Sequence, residues 1–196
     1  MASKNPIYQH NLSNQSLKDH FLIAMPGLTD SAFSNSITYI CDHSEHGAMG
    51  IVLNRPLDVE LTEVFDHLSI DYPISFKPIR VLSGGPVSAQ QGFVLHKNEG
   101  EWDSTMPITD EICLTASQDI VEALAQNTAP KNSLFVLGYA GWGAGQLETE
   151  IFANSWLTMP ADHKIIFNTK MEDRWTAAAN QLGIDMNLIS ATAGHA

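Results

Sequence analysis

The chain has 196 residues, and 22 Asp and Glu against 10 Lys and Arg give it a formal charge of −12 at neutral pH. Apolar residues make up 44% of it, enough for a sizeable core, which excludes intrinsic disorder. No run approaches the roughly 20 apolar residues of a membrane helix, and the sign of the charge speaks against a nucleic-acid clamp.

The first ten residues are polar and include Pro6, unlike the basic and then apolar start of a signal peptide, so a cytoplasmic location is expected. Residues 1–17 read as an irregular lead-in and 18–196 as a single domain. Phe21–Met25 is a short apolar run stopped by Pro26-Gly27, which suits a buried strand. Ile37–Cys41 and Met49–Leu53 are strand-like runs around the polar segment Asp42–Gly47, and together they predict a hairpin with a longer loop. Leu61, Val64, Phe65 and Leu68 mark one apolar helix face, with Asp58 as its expected N-cap. Ile79–Leu82 and Gly92–His96 read as strands flanking the turn Ser83-Gly-Gly-Pro86, and Glu111–Thr115 as another. Ser117 is placed to cap a helix burying Ile120, Val121 and Leu124. Leu134–Leu137 is a buried strand, followed by a glycine-rich turn and a helix burying Leu147, Ile151 and Phe152. Lys164–Phe167 reads as the next strand, which makes a parallel crossover. Thr169 and Glu172 form a capping-box pattern opening a last helix, and Gly183 fits its left-handed end. Hairpins followed by alternating helix and strand predict a mixed α+β fold: a largely antiparallel sheet flanked by helices, with one βαβ crossover near the C-terminus.

The residues that could carry chemistry are few. Gly138–Gly145 holds four glycines in eight residues between a strand and a helix, the setting of a tight turn or a ligand-lining loop. It lacks the P-loop ending, and Glu148 and Glu150 at the helix start would repel a phosphate. Cys41, His43, Glu45 and His46 are metal-capable types, but no second ligand pair lies near them, and no metal is expected. Ser83–Pro86 could expose backbone amides, yet no nucleophile elbow accompanies it. Cys41 and Cys113 sit between apolar neighbours and read as buried thiols. Trp142, set among glycines, is expected to be half-exposed. Six acids and no base lie between Glu99 and Asp119, a solvated face that could attract a basic partner.

Several segments in combination are similar to the YqgE/AlgH family of bacterial proteins. They are Phe21–Gly27, Tyr39–His43, Gly47–Pro56, Gly84–Pro86, Gly92–His96, Gly138–Glu148, Asn154–Leu157, Pro160–Asp162 and Ala193–Ala196. The resemblance implies a bacterial cytoplasmic protein whose mixed sheet is partly curled into a barrel-like form. It carries no catalytic mechanism and no cofactor. One branch was named for a suggested role in regulating alginate production, which at −12 fits a protein or small-molecule partner better than DNA.

The expectation is a regulatory or binding module for a small molecule or partner protein, with no direct nucleic-acid or membrane contact. Its candidate ligand cleft comprises His43, Asn54, Gly84, Gly85, Trp142, Gln146 and Glu148. In the alternative reading, an enzyme, His43 would be the general base and Glu148 its orienting carboxylate.

Overall fold

The computed structural model describes residues 16–30, 32–186 and 188–189; most of the lead-in and the closing Ala193–Ala196 segment lie outside them. Ten strands form one curled, half-barrel sheet: β1 His20–Ala24, β2 Ile37–Ser44, β3 Gly47–Val52, β4 Pro56–Glu60, β5 Arg80–Ser83, β6 Val87–Lys97, β7 Thr105–Pro107, β8 Ile112–Thr115, β9 Ser133–Gly143 and β10 Trp156–Pro160. Along the sheet the order is β10-β1-β2-β3-β9-β6-β8-β7, with β4 and β5 off this path. All pairs are antiparallel except β5 with β9. The helices are α1 Leu61–Leu68, α2 Gln118–Ala125, α3 Gln146–Phe152, α4 His163–Phe167 and α5 Arg174–Gln181.

Alternation along the strands sorts side chains into three apolar clusters. One face of β1, β2, β3, β6 and β9 sends Phe21, Tyr39, Ile51, Leu95 and Val136 into the largest, closed by Ile165 and Ile166 of α4 and Ala178 and Ala179 of α5. Under α1 and α2, Leu61, Phe65, Val94, Ile120 and Phe135 form the second. The third, Leu22, Ile40, Ala140, Trp142 and Trp156, packs beneath Leu147 of α3.

The expected strand at Lys164–Phe167 is instead helix α4. The side chain of Asp162 caps it, accepting from the Lys164 N–H at 2.8 Å, and both isoleucines are buried on one side. The return strand is β10, which pairs with β1 from His20↔Pro160 to Ala24↔Trp156. Four antiparallel steps separate β10 from β9, so the two run in the same direction. The crossover therefore goes β9–α3–β10 and passes over three intervening strands rather than ending beside β9.

Other departures are local. The hairpin turn is tight, Glu45-His46, and β2 reaches it through a bulge at Cys41. Glu60, not Asp58, caps α1, its N–H donating to Glu63 Oε1 at 2.9 Å; Asp58 belongs to β4. A 3-10 turn at Met171–Asp173 precedes α5, and the Thr169 hydroxyl donates to the Lys164 carbonyl. No helix among the described residues is long and apolar enough to cross a membrane.

Candidate functional site

Most of the expected glycine turn is strand. β9 continues through Gly143, and the turn proper is Ala144-Gly145, with Gly145 left-handed at φ 71° as the N-cap of α3. That seven-residue helix carries Glu148 in its first turn, an arrangement unsuited to an anion.

Four of the expected cleft residues gather at α3. His43, on β2, directs Nε2 to Glu148 Oε1 at 2.8 Å, while its Nδ1 accepts the Leu17 N–H at 2.8 Å. A backbone N–H donates only to a bare nitrogen, so the ring proton sits on Nε2 and is given to Glu148. Both ring nitrogens are thereby engaged, and the side chain is only 7% exposed. Trp142 is buried at 6% exposure rather than half-exposed, because its indole N–H reaches Glu150 Oε2 at 2.9 Å and its ring packs on Phe33 and Trp156. Trp156 donates to the same oxygen at 2.8 Å, and Gln146 donates to Glu150 Oε1 at 2.9 Å. Gln146 Oε1 in turn accepts the Gly143 N–H at 3.0 Å. Glu150, passed over in the sequence as a residue that repels phosphate, is the hub of this cluster.

The other three lie elsewhere. Asn54 braces the start of β2: its Oδ1 accepts the Ile37 N–H, and its amide donates to the Asn35 carbonyl. Gly84 and Gly85 are buried against β9, and the Gly84 N–H donates to the Leu137 carbonyl. A Cβ on Gly84 would fall 2.3 Å from the Gly138 carbonyl, and one on Gly85 2.2 Å from Tyr139 main chain. These glycines permit close packing of two backbones rather than presenting amides to a ligand.

A different concavity opens beside β9. It is a broad groove of about 620 Å³ lined by Asp42 and Ser44 of β2, His46, Gly47–Met49 of β3, Val87, Gln91 and Phe93 of β6, and Tyr139, Gly141 and Trp142 of β9. It forms where the largest cluster reaches the surface at Met49 and Tyr139. Two features of the ladder create it. β6 pairs with β9 up to Gly92↔Leu137, leaves the ladder over Ser88–Gln91, with Ala89 lying over Gly138, and pairs again at Val87↔Tyr139. Beyond that point, among the described residues, Ala140–Gly143 pair with β3. Gly141 supplies the floor: a Cβ there would meet nothing nearer than Tyr139 Cε2 at 3.4 Å and Val87 Cγ2 at 3.7 Å.

His46 and Glu45 are exposed at the hairpin tip, 3.7 Å apart. Among the described residues no group of three or more His, Cys, Asp and Glu is placed to hold a metal ion. Cys41 and Cys113 are free and buried, and burial pushes both thiols up, away from the reactive thiolate.

A family model described as AlgH-like matches residues 21–187. The chain belongs to the AlgH-like family. It is 61% identical over 181 residues to a UPF0301 protein of Saccharophagus degradans, covering 92% of this chain and 89% of that one. It is 52% identical over 186 residues to a UPF0301 protein of Thioalkalivibrio sulfidiphilus, covering 95% and 97%. The solution structure of the AlgH protein from Pseudomonas aeruginosa is similar over 100% of both chains, with a TM-score of 0.75 at 43% identity. A crystal structure of a protein from Corynebacterium diphtheriae, 21% identical with a TM-score of 0.71, shares the fold.

Proposed function

We propose that this AlgH-like protein is a regulatory binding module of the bacterial cytoplasm, and that a small molecule or partner protein occupies the groove beside β9. The make-up of that groove supports the reading. It is wide and glycine-floored, with Met49, Phe93 and Tyr139 for apolar contact and Asp42, Ser44, His46 and Gln91 for polar contact. Recognition sites combine apolar surface with a few placed polar groups, and in this one Ser44 Oγ accepts the His46 main-chain N–H at 3.3 Å. Of the α3 cluster, Trp142 reaches the groove lining, and His43, Gln146 and Glu148 hold that wall in place rather than touching the ligand.

A thermal-shift screen with metabolites, nucleotides and short peptides tests this, run on the wild type and on Gly141→Leu, which fills the floor. A ligand at a hundred times its Kd stabilises by about 2.7 kcal/mol, or roughly 5–10 °C in a chain of this size. A shift present in the wild type and absent in Gly141→Leu is expected. A ligand that stabilises both equally contradicts the reading.

The 2.8 Å contact between His43 and Glu148 is the observation that favours an enzyme instead. A general base needs a nitrogen free to take a proton, and both nitrogens of His43 are engaged. His43→Asn keeps an acceptor for the Leu17 N–H; turnover that survived this change would remove His43 as the general base. A regulatory role of the kind suggested for the family would be indirect, and DNA retardation at low salt, where electrostatic binding is strongest, would overturn that.

A further inference from the structure

We propose that the groove receives an extended, basic peptide segment of a partner protein, which adds to the free flank of β9 at Gly141 as an extra strand. This deepens the binding reading above by naming the occupant and its mode.

The main chain carries the first part of the inference. Gly143 gives its N–H to Gln146 Oε1 rather than to β3, although the two strands are in register from Gly47↔Gly143 to Gly50↔Ala140. In an antiparallel ladder alternate residues turn their N–H and C=O groups to the same flank. Gly141 therefore turns its own away from β3. On that side the β6 ladder ends at Val87↔Tyr139, and the arch Ser88–Gln91 is exposed, with Ala89 lying over Gly138. Among the described residues the result is a slot toward which Gly141 turns its N–H and C=O groups. A sheet edge of this kind is the template for strand addition, in which main-chain hydrogen bonds hold the peptide and alternate side chains enter pockets.

The side chains carry the second part. Glycine at 141 leaves room for an alternate side chain of the docked strand to lie on Met49, Phe93 and Tyr139. Among the described residues Asp42 is the one carboxylate in the lining and no Lys or Arg lines the groove, while Glu45 stands at the exposed hairpin tip 3.7 Å from His46. Asp42 sits opposite Met49, which sits opposite Gly141, so it is two strand spacings away. A docked strand would lie about 14 Å from it across three such spacings. That is too far for a tight ion pair, but a lysine or arginine side chain crossing Met49 closes most of the gap. With the chain at −12, the field favours a basic segment and disfavours an acidic one. An open slot also suits a peptide better than a small molecule, which needs enclosure to bury most of its surface.

Fluorescence anisotropy with labelled peptides of about ten residues, alternating Lys and Leu or Glu and Leu, tests the proposal directly. The Lys–Leu peptide is expected to bind saturably to the wild type and the Glu–Leu peptide not to bind. Gly141→Leu, or N-methylation of the central peptide residues, should weaken binding by about tenfold, the scale of one main-chain hydrogen bond. Asp42→Asn should weaken it less and flatten its dependence on salt. Ile74→Ser, which alters an exposed apolar residue on another loop, should change nothing. Circular dichroism and melting of each variant report whether it is folded. Equal binding by Gly141→Leu, by the N-methylated peptide or by the Glu–Leu peptide would overturn strand addition. If no peptide binds but a small molecule stabilises the wild type and not Gly141→Leu, strand addition falls and the binding module stands. If nothing binds in a Gly141-dependent way, both fall.

Discussion

His43 and Glu148 are 105 residues apart in the chain and meet at 2.8 Å, joining the bulged end of β2 to the first turn of α3. The contact is a brace with a third member, because Leu17 gives its N–H to the other ring nitrogen. It ties down the point where the lead-in enters the fold. His43→Ala should leave that buried N–H without an acceptor and cost about 1–3 kcal/mol, which is roughly 3–10 °C of melting temperature in a chain of this size. Glu148→Ala should cost less, because the carboxylate is 41% exposed and water replaces it. Urea melts of the two variants check the order; a larger loss for Glu148→Ala contradicts it.

Glu150 should matter more than either. Its carboxylate receives the indole N–H groups of Trp142 and Trp156 and the amide of Gln146. Removing it orphans two donors beneath the aromatic cluster of Phe33, Trp142 and Trp156. Glu150→Ala should cost about 2–6 kcal/mol, since each buried unsatisfied donor costs about 1–3. Glu150→Gln, which keeps one oxygen acceptor, should cost distinctly less. Tryptophan emission followed through denaturation reads both quantities.

Alkaline unfolding should be led by Tyr39 and Cys41. Burial raises both above their ordinary values of 10.0 and 9.0, and the hydrogen bond from the Tyr39 hydroxyl to Asp19 at 2.8 Å adds to the rise. The unfolded chain therefore loses these protons while the folded chain keeps them. Stability falls as pH rises through 9 and then 10, by about 1.4 kcal/mol per pH unit for each group that has titrated. Cys41→Ala should flatten the fall that begins near pH 9; an unchanged slope would sink the assignment.

At the acid end His96 acts through the same cause, burial that favours the neutral form, and costs stability in the opposite pH direction. It is 1% exposed, and burial lowers it below its ordinary 6.5, against the smaller opposing effects of the Lys97 carbonyl and Glu99. Below 6.5 the unfolded chain takes up a proton that the folded chain resists, so this group costs stability as pH falls through that value. Its ring lies at 2.8 Å from the Thr115 hydroxyl, which lies at 2.8 Å from that of Thr105, linking β6, β8 and the edge strand β7. His96→Gln should weaken the dependence of the melting temperature between pH 6.5 and 5, and hydrogen exchange should show the β7 end opening first in the wild type.

Much of the scaffold is legible in the residues. The apolar run at Phe21 and the Leu61 and Phe65 positions of the α1 face are local signals read by local rules, but Leu68 of that face is exposed, and Ser117, at the N-cap position of α2, gives its hydroxyl to Asp119 rather than capping. Lys164–Phe167 shows where such rules stop. Two isoleucines in a short apolar run suit a strand or a buried helix equally, and Asp162 as a cap was the deciding signal. β10 was hidden because its partner β1 lies at the other end of the chain. The α3 cluster was partly visible: His43, Trp142, Gln146 and Glu148 do come together, but as a brace whose hub is Glu150. The groove was invisible for a physical reason. It is defined by a strand leaving the ladder and by a missing side chain at Gly141, and neither leaves a periodic trace in sequence.

Amide chemical-shift mapping of the isotope-labelled protein against the Lys–Leu peptide tests the central claim most directly. The account predicts saturable shifts concentrated at Gly47–Met49, Val87–Phe93 and Tyr139–Gly143, with the Gly141 amide moving most. Shifts centred instead on the acidic edge Glu99–Asp119, or on His43 and Glu148, would contradict it.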